Sequence, residues 1–238
     1  GTPLALRLAA AAARHLEALE RDIGTPAAFD AASCTRTWRL SLSDLGEMAF
    51  LPAIADAVLA EAPLTRIVNA AVSTAQLPEA LAQREVDLAI GILDAGRRGL
   101  RSSSLFSETY VALSDPGRVP RQRSCVALAR QGLVVASPTA TFHGSVEASL
   151  KKAGLDDRIV MRVRHFAAMP DLVRRTALVG IAPQSWASDI CRGGDLAWWP
   201  LPMPMPQFDV RMVWHGVSEG DAALDWLRAT LLRLFRQA

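Results

Sequence analysis

Leu4, Leu8, Leu16, Leu19 and Ile23 recur at the spacing of a helix face, with alanines filling many of the positions between them. Residues three and four apart fall on one side of a helix with 3.6 residues per turn, so residues 2 to 23 predict one amphipathic helix about 33 Å long. Thr2 suits its N-cap, Pro3 its first turn, and Gly24 with Pro26 its end. A single apolar stripe on so long a helix calls for a partner helix. Residues 24 to 35 are small and polar without periodicity, which reads as a hinge.

Beyond Arg36 short apolar runs alternate with amphipathic segments, the pattern of a mostly parallel α/β sheet. Strands are expected at 38–42, 66–72 and 87–92, with helices at 47–61 and 75–84 between them. Residues 105–113 read as a strand crossing to a second unit, made of a strand at 133–136, a helix at 143–153, a strand at 159–164, a helix at 169–176 and a strand at 178–181. From Trp198 to Val213 the alternating Pro200, Pro202, Pro204 and Pro206 rule out a helix, so this stretch runs extended. Leu224, Leu227, Leu231 and Leu234 then mark a last helix, 222–235, that would return to cover the first unit. The predicted division is a linker or dimerisation helix at 1–24, one subdomain at 36–113 together with 212–238, and a second at 114–211.

Composition narrows the function. The 238 residues include 26 basic and 24 acidic ones, and neither sign forms a block that would track a phosphate backbone. Cys34, Cys125 and Cys191 stand far apart without metal-finger spacing, as reduced thiols of a cytoplasmic protein would; a redox pair of Cys125 with Cys191 is the alternative. No apolar run is long enough to span a bilayer, and Arg7, Arg14, Glu17, Glu20 and Arg21 exclude the N-terminal segment as a signal peptide or anchor. No membrane partner is expected. A chain opening on Gly1 also suggests that residues upstream belong to it.

Candidate chemistry lies where strands end and helices begin, because helix N-termini present free N–H groups beyond the carboxyl edge of such sheets. Ser43 and Asp44 follow the first strand, Ser73 and Thr74 the second, and each is equally suited to helix capping alone. Thr141 and His143 repeat the arrangement in the second unit, and His165 ends its second strand. Two histidines facing one cleft would suit an anionic aromatic ligand, although either is as readily an ordinary structural residue. Trp214, like Trp186, Trp198 and Trp199, would stack on an aromatic ligand or pack in the core. Glu147 and Asp171 are the nearest acids to those histidines and do not complete a metal set, so no metal or cofactor is expected. Neither a GxSxG elbow nor a phosphate loop is present, which argues against an enzyme.

These residues resemble a known family. The run from Thr37 to Met48, then Phe50 to Pro52, resembles the opening of the effector domain of LysR-type transcription regulators, and Glu85 to Gly91 is similar to that family's DLAIG strand. Leu105-Phe106, Tyr110-Val111, Thr141 to Glu147, His165 to Met169, Pro183-Gln184, Val213 to His215 and Trp226 to Arg228 continue the likeness, which looks nearest to the naphthalene/salicylate and nodulation regulators. The resemblance implies two Rossmann-like subdomains joined by two crossing strands, with an effector in the cleft between them. It implies Ser43, Thr141, His143 and His165 as cleft residues and a small aromatic or carboxylate inducer. Ser73 and Gln76 depart from the asparagines expected after the second strand. It further implies a homodimer or homotetramer formed through the first helix, and DNA contact by a helix-turn-helix domain preceding it. The alternative with the same fold is a solute-binding protein of a transport system.

Overall fold

The structure is a computed structural model and describes residues 2–23, 29–94, 96–136 and 144–236. Its elements are α1 (Pro3–Ile23), β1 (Thr37–Leu42), α2 (Asp44–Glu61), β2 (Arg66–Asn69), α3 (Leu77–Ala82), β3 (Leu88–Gly91), β4 (Leu100–Glu108), β5 (Tyr110–Ser114), α4 (Cys125–Leu128), β6 (Gly132–Ala136), α5 (Gly144–Lys152), β7 (Ile159–Val163), α6 (Met169–Arg175), β8 (Leu178–Pro183), α7 (Gln184–Ile190), β9 (Ala197–Pro200), β10 (Phe208–His215) and α8 (Ala222–Arg236). The first helix forms where the stripe predicts it, and the Thr2 hydroxyl accepts the Ala5 N–H at 3.3 Å. Its predicted stop at Gly24 and Pro26 lies outside the described residues.

Two five-stranded sheets follow, in the orders β2-β1-β3-β10-β4 and β7-β6-β8-β5-β9. Four strands in each share one direction, and the strand in fourth place opposes them: β10 is antiparallel to β3 and β4, and β5 is antiparallel to β8 and β9. The opposing strand is in both cases the one that arrives from the other sheet. The chain crosses from β4 to β5 and returns from β9 to β10, which gives the two-subdomain α/β architecture the sequence predicts.

The crossing departs from the single strand expected over 105–113. The ladder breaks at Thr109, whose N–H is donated to the Glu108 side chain at 2.9 Å rather than to a neighbouring strand, so β5 joins the second sheet from Tyr110 onward. The proline stretch likewise resolves into two strands of different sheets, β9 and β10. Two helices were not foreseen: α4, whose four residues are too few to display a period, and α7 (Gln184–Ile190).

The first unit buries Trp38, Leu40, Leu88, Ile90 and Met212 between its sheet and the pair α2 and α8. Leu224, Leu227 and Leu231 are fully buried there, each contributing about 1.5–3 kcal/mol. Phe50 of α2 meets Phe235 of α8 edge-on at 5.7 Å. Thus the last helix covers the first unit, as its leucines predict. The second unit has its own core around Leu113, Leu133, Val134, Phe166, Trp186 and Trp199, with the Trp199 indole N–H donated to the Ser114 hydroxyl at 3.2 Å. The three cysteines are free.

Candidate functional site

A cavity of about 130 Å³ lies between the two sheets, near the crossings. Its floor on the first unit comes from strand ends and the residues after them: Leu42 at the end of β1 and Ser43 after it, Val72, Ser73 and Thr74 after β2, and Ile90 and Gly91 at the end of β3 with Ile92 and Leu93 after it. Glu108, Tyr110, Pro183, Ser185 and Phe208 close it at the crossings and the second unit.

Local hydrogen bonding fixes the first side. The Ser43 hydroxyl caps α2 by accepting the Gly46 N–H at 3.2 Å. Asn69, at the end of β2, accepts the Leu42 N–H at 2.9 Å through Oδ1 and donates to Glu47 at 2.6 Å through Nδ2, tying β1 to β2 where the ladder stops. The Ser73 hydroxyl donates to Gln76 Oε1 at 2.6 Å, while Thr74 is exposed along the same rim.

On the other side the Glu108 carboxylate is 6% exposed and accepts the N–H groups of Thr109 at 2.9 Å and Gln184 at 3.0 Å. It also accepts both the hydroxyl and, at 3.3 Å, the N–H of Ser185. The Glu108 carboxylate thereby sits against the first turn of α7, satisfying helix N–H groups that would otherwise be open. Tyr110 packs edge-on against Phe208 with ring centres 5.5 Å apart, and its hydroxyl is held well above the usual phenol range, by burial first and then by the charge of Glu108.

Of the residues singled out in the sequence, Ser43, Ser73 and Thr74 line this cavity. Thr141 and His143 lie outside the described residues. His165 is not in the cavity wall. It sits on the surface with Asp44, Glu47, Met48 and Ala167, its Nδ1 3.1 Å from Asp44 Oδ2. Trp214 is also elsewhere: on β10 it shares its face with Val210, but four residues carry it about 13 Å further along the strand. There its ring lies beneath the Arg228 guanidinium at 4.7 Å and its indole N–H is buried without a hydrogen-bond partner.

Sequence reasoning missed Glu108, Ser185, Tyr110 and Phe208. The available signal was an acid closing the run Leu105 to Glu108, two residues before the apolar run Tyr110 to Leu113, but its partners on α7 sit 76 and 77 positions away. Among the described residues no cluster of His, Cys, Asp or Glu is arranged to hold a metal, and no helix is long and apolar enough to cross a membrane.

Two similar sheets, two crossings and a ligand-sized cavity between them define a two-lobed small-molecule-binding domain. The model of the LysR substrate binding domain matches residues 32–236, and the chain belongs to the LysR family of transcriptional regulators. It is 30% identical to the HTH-type transcriptional activator NagR of Ralstonia sp., over all of this chain and 79% of that protein. It is 28% identical to nodulation protein D 1 of Mesorhizobium japonicum, over 98% of this chain and 74% of that protein. These relatives are of the naphthalene/salicylate and nodulation branch that the sequence resembles. The regulatory domain of MexT, a transcriptional activator in Pseudomonas aeruginosa, shares the fold with a TM-score of 0.71 at 23% identity, covering 85% of this chain and all of that one.

Proposed function

We propose that this domain senses a small aromatic inducer in the cavity between its two units and converts occupancy into a change in how subunits are arranged. The observation that carries this reading is the cavity itself. Both units supply its walls, so a ligand inside touches both and favours whichever arrangement brings them together. Phe50, Tyr110 and Phe208 give it ring surfaces, and a void of about 150 Å³ is known to hold benzene, which sets the scale at one aromatic ring. No bond is broken in this mechanism, and the ligand leaves unchanged.

Leu4, Leu8 and Leu16 of α1 are 59%, 62% and 60% exposed, an apolar stripe suited to the same helix of a second copy. In this reading α1 pairs subunits in a homodimer or homotetramer. A helix-turn-helix domain preceding it contacts DNA in the cytoplasm, as the description of NagR as an HTH-type activator supports. The transport-protein alternative is disfavoured, since NagR aligns over the whole chain, α1 included.

A thermal-shift screen against single-ring aromatics, acids included, tests the reading, because a ligand that binds only the folded state raises its melting temperature. At least one compound is expected to stabilise the protein and to lose that effect in Val72→Trp, which fills the cavity. An absence of any stabilising compound, or stabilisation that survives Val72→Trp, would overturn it.

A further inference from the structure

The return crossing from β9 to β10 carries Met203 and Met205, one on each side of an exposed Pro204. Both methionines are half-buried and pack against the core of the second unit. Both also line a groove of about 630 Å³ that they share with Ser145, Ser149 and Lys152 of α5. Their thioethers therefore hold the crossing to the second unit and stand open to a small solute at the same time. A strand ladder cannot do that holding, because Pro200, Pro202, Pro204 and Pro206 have no N–H to donate. From outside the segment, the Cys125 thiol reaches the Pro202 carbonyl at 3.7 Å and the Thr109 hydroxyl reaches that of Pro206 at 3.4 Å, both long contacts. The other methionines of the chain are placed differently. Met169 and Met212 are fully buried, and Met48 and Met161 lie within α2 and β7.

We propose that Met203 and Met205 are a modification site for hydrogen peroxide, and that their oxidation to sulfoxides unseats the return crossing from the second unit. In the step, a sulfur lone pair attacks one peroxide oxygen. The O–O bond breaks, an S–O bond forms, and the other oxygen leaves as water, so sulfur gives up two electrons and peroxide takes them. The product is a polar side chain where an apolar one was packed. A sulfoxide oxygen left against the second core without a donor is costly, whereas the groove offers water and the donors of Ser149 and Lys152. Each oxidised side chain therefore turns from the core to the groove and takes the crossing with it. Phe208, three residues beyond Met205, begins β10 and lines the cavity between the units, so the loosening reaches the cavity wall. Enzymatic reduction of the sulfoxides restores the original packing.

The test treats the full chain with hydrogen peroxide and then with dithiothreitol, which returns oxidised thiols, Cys125 among them, and leaves sulfoxides in place. Peptide mass spectrometry over time is expected to show Met203 and Met205 oxidised ahead of Met48 and Met161, and at least about tenfold faster than Met169 and Met212. Oxidation of the pair is expected to lower the melting temperature by about 4 °C or more, as the loss of two packed side chains from a domain of this size does. Met203→Leu with Met205→Leu keeps volume and apolarity, so this double variant is expected to melt within about 3 °C of the untreated wild type and to keep its melting temperature through the same treatment. Should the double variant fold poorly, each single leucine variant is expected to retain about half of the drop. Oxidation of Met48 or Met161 before the pair, a melting temperature unmoved by oxidation at both positions, or a drop that persists in the leucine variants would each overturn the proposal.

Discussion

His165 Nδ1 lies 3.1 Å from Asp44 Oδ2, joining the turn after β7 in the second unit to the first residue of α2 in the first. The contact bridges the two units outside the cavity, with the histidine side chain 65% exposed. Exposed pairs of this kind contribute about 0–1 kcal/mol. His165→Ala is therefore expected to weaken ligand binding by no more than about fivefold, through the bridge between the units and not through a lost ligand contact. Titrating the variant with two ligands of different substitution should give the same factor for both. A loss above tenfold confined to one of them would mean that His165 touches the ligand.

Trp214 has the opposite standing: it belongs to the core of the first unit, beneath Arg228, and does not reach the cavity. Trp214→Phe keeps the apolar body and removes an indole N–H that is buried without a partner. The expected cost in a urea unfolding curve is under about 1 kcal/mol, whereas Trp214→Ala should cost roughly 2–4 kcal/mol. Ligand affinity in Trp214→Phe should stay within twofold of the wild type. A tenfold loss there would show that the ring or its N–H serves the ligand.

Much of the fold was legible because long elements advertise their period. The stripe Leu4 to Ile23 predicts α1, the leucines of 222–235 predict α8, and the alternation of short apolar runs predicts the sheets. What was not legible depends on contacts distant in sequence. The ladder breaks at Thr109 because Glu108 takes its N–H, and Glu108 lies there because the start of α7, 76 residues on, needs an acceptor. The polar residues flagged at strand ends, Ser43, Ser73 and Thr74, were accessible to a local rule, since a residue that starts a helix after a strand also stands at the sheet's carboxyl edge. Trp214 was misplaced by the same kind of local reasoning: residue type suggested a ligand, but its distance along β10 from the crossing decides what it can touch.

Gly99 and His215 form a tight steric pair at the edge of the first sheet. Gly99 has φ +86°, in the left-handed region, and a Cβ there would stand 2.3 Å from His215 Nε2. Its carbonyl accepts the Gly216 N–H at 2.8 Å, so the backbone cannot retreat without losing that bond. Gly99→Ala is expected to cost about 2–4 kcal/mol, part from the backbone conformation and part from the collision. His215→Ala in the same chain should recover the collision part and leave about 1–2 kcal/mol. Strict additivity of the two single substitutions in a double-mutant cycle would show that the ring is not the obstacle.

The junction of Arg36, Asp87 and Asp221 fastens the start of β1 to the loop before β3 and to the start of α8. Arg36 reaches both acids at 2.7 Å, and Asp221 also accepts the Leu224 N–H at 3.1 Å, capping α8. Burial works to raise the Asp221 pKa, but the hydrogen bond from Arg36, the helix N–H groups and the Arg36 charge together outweigh it and hold the carboxyl below its ordinary value. A carboxyl with a lower pKa folded than unfolded contributes its stability above the unfolded value and loses it as pH falls through the folded one. The domain should therefore weaken as pH drops below about 4, the ordinary range of an aspartate. Asp221→Asn should cost about 1–2 kcal/mol at pH 7, since the amide oxygen keeps the cap but not the ion pair. Because the wild type itself loses the charge in acid, the gap between the two proteins in urea unfolding should narrow as pH falls below about 4. A gap of equal size at pH 7 and pH 3 would assign the cost to packing and leave Asp221 without an electrostatic role.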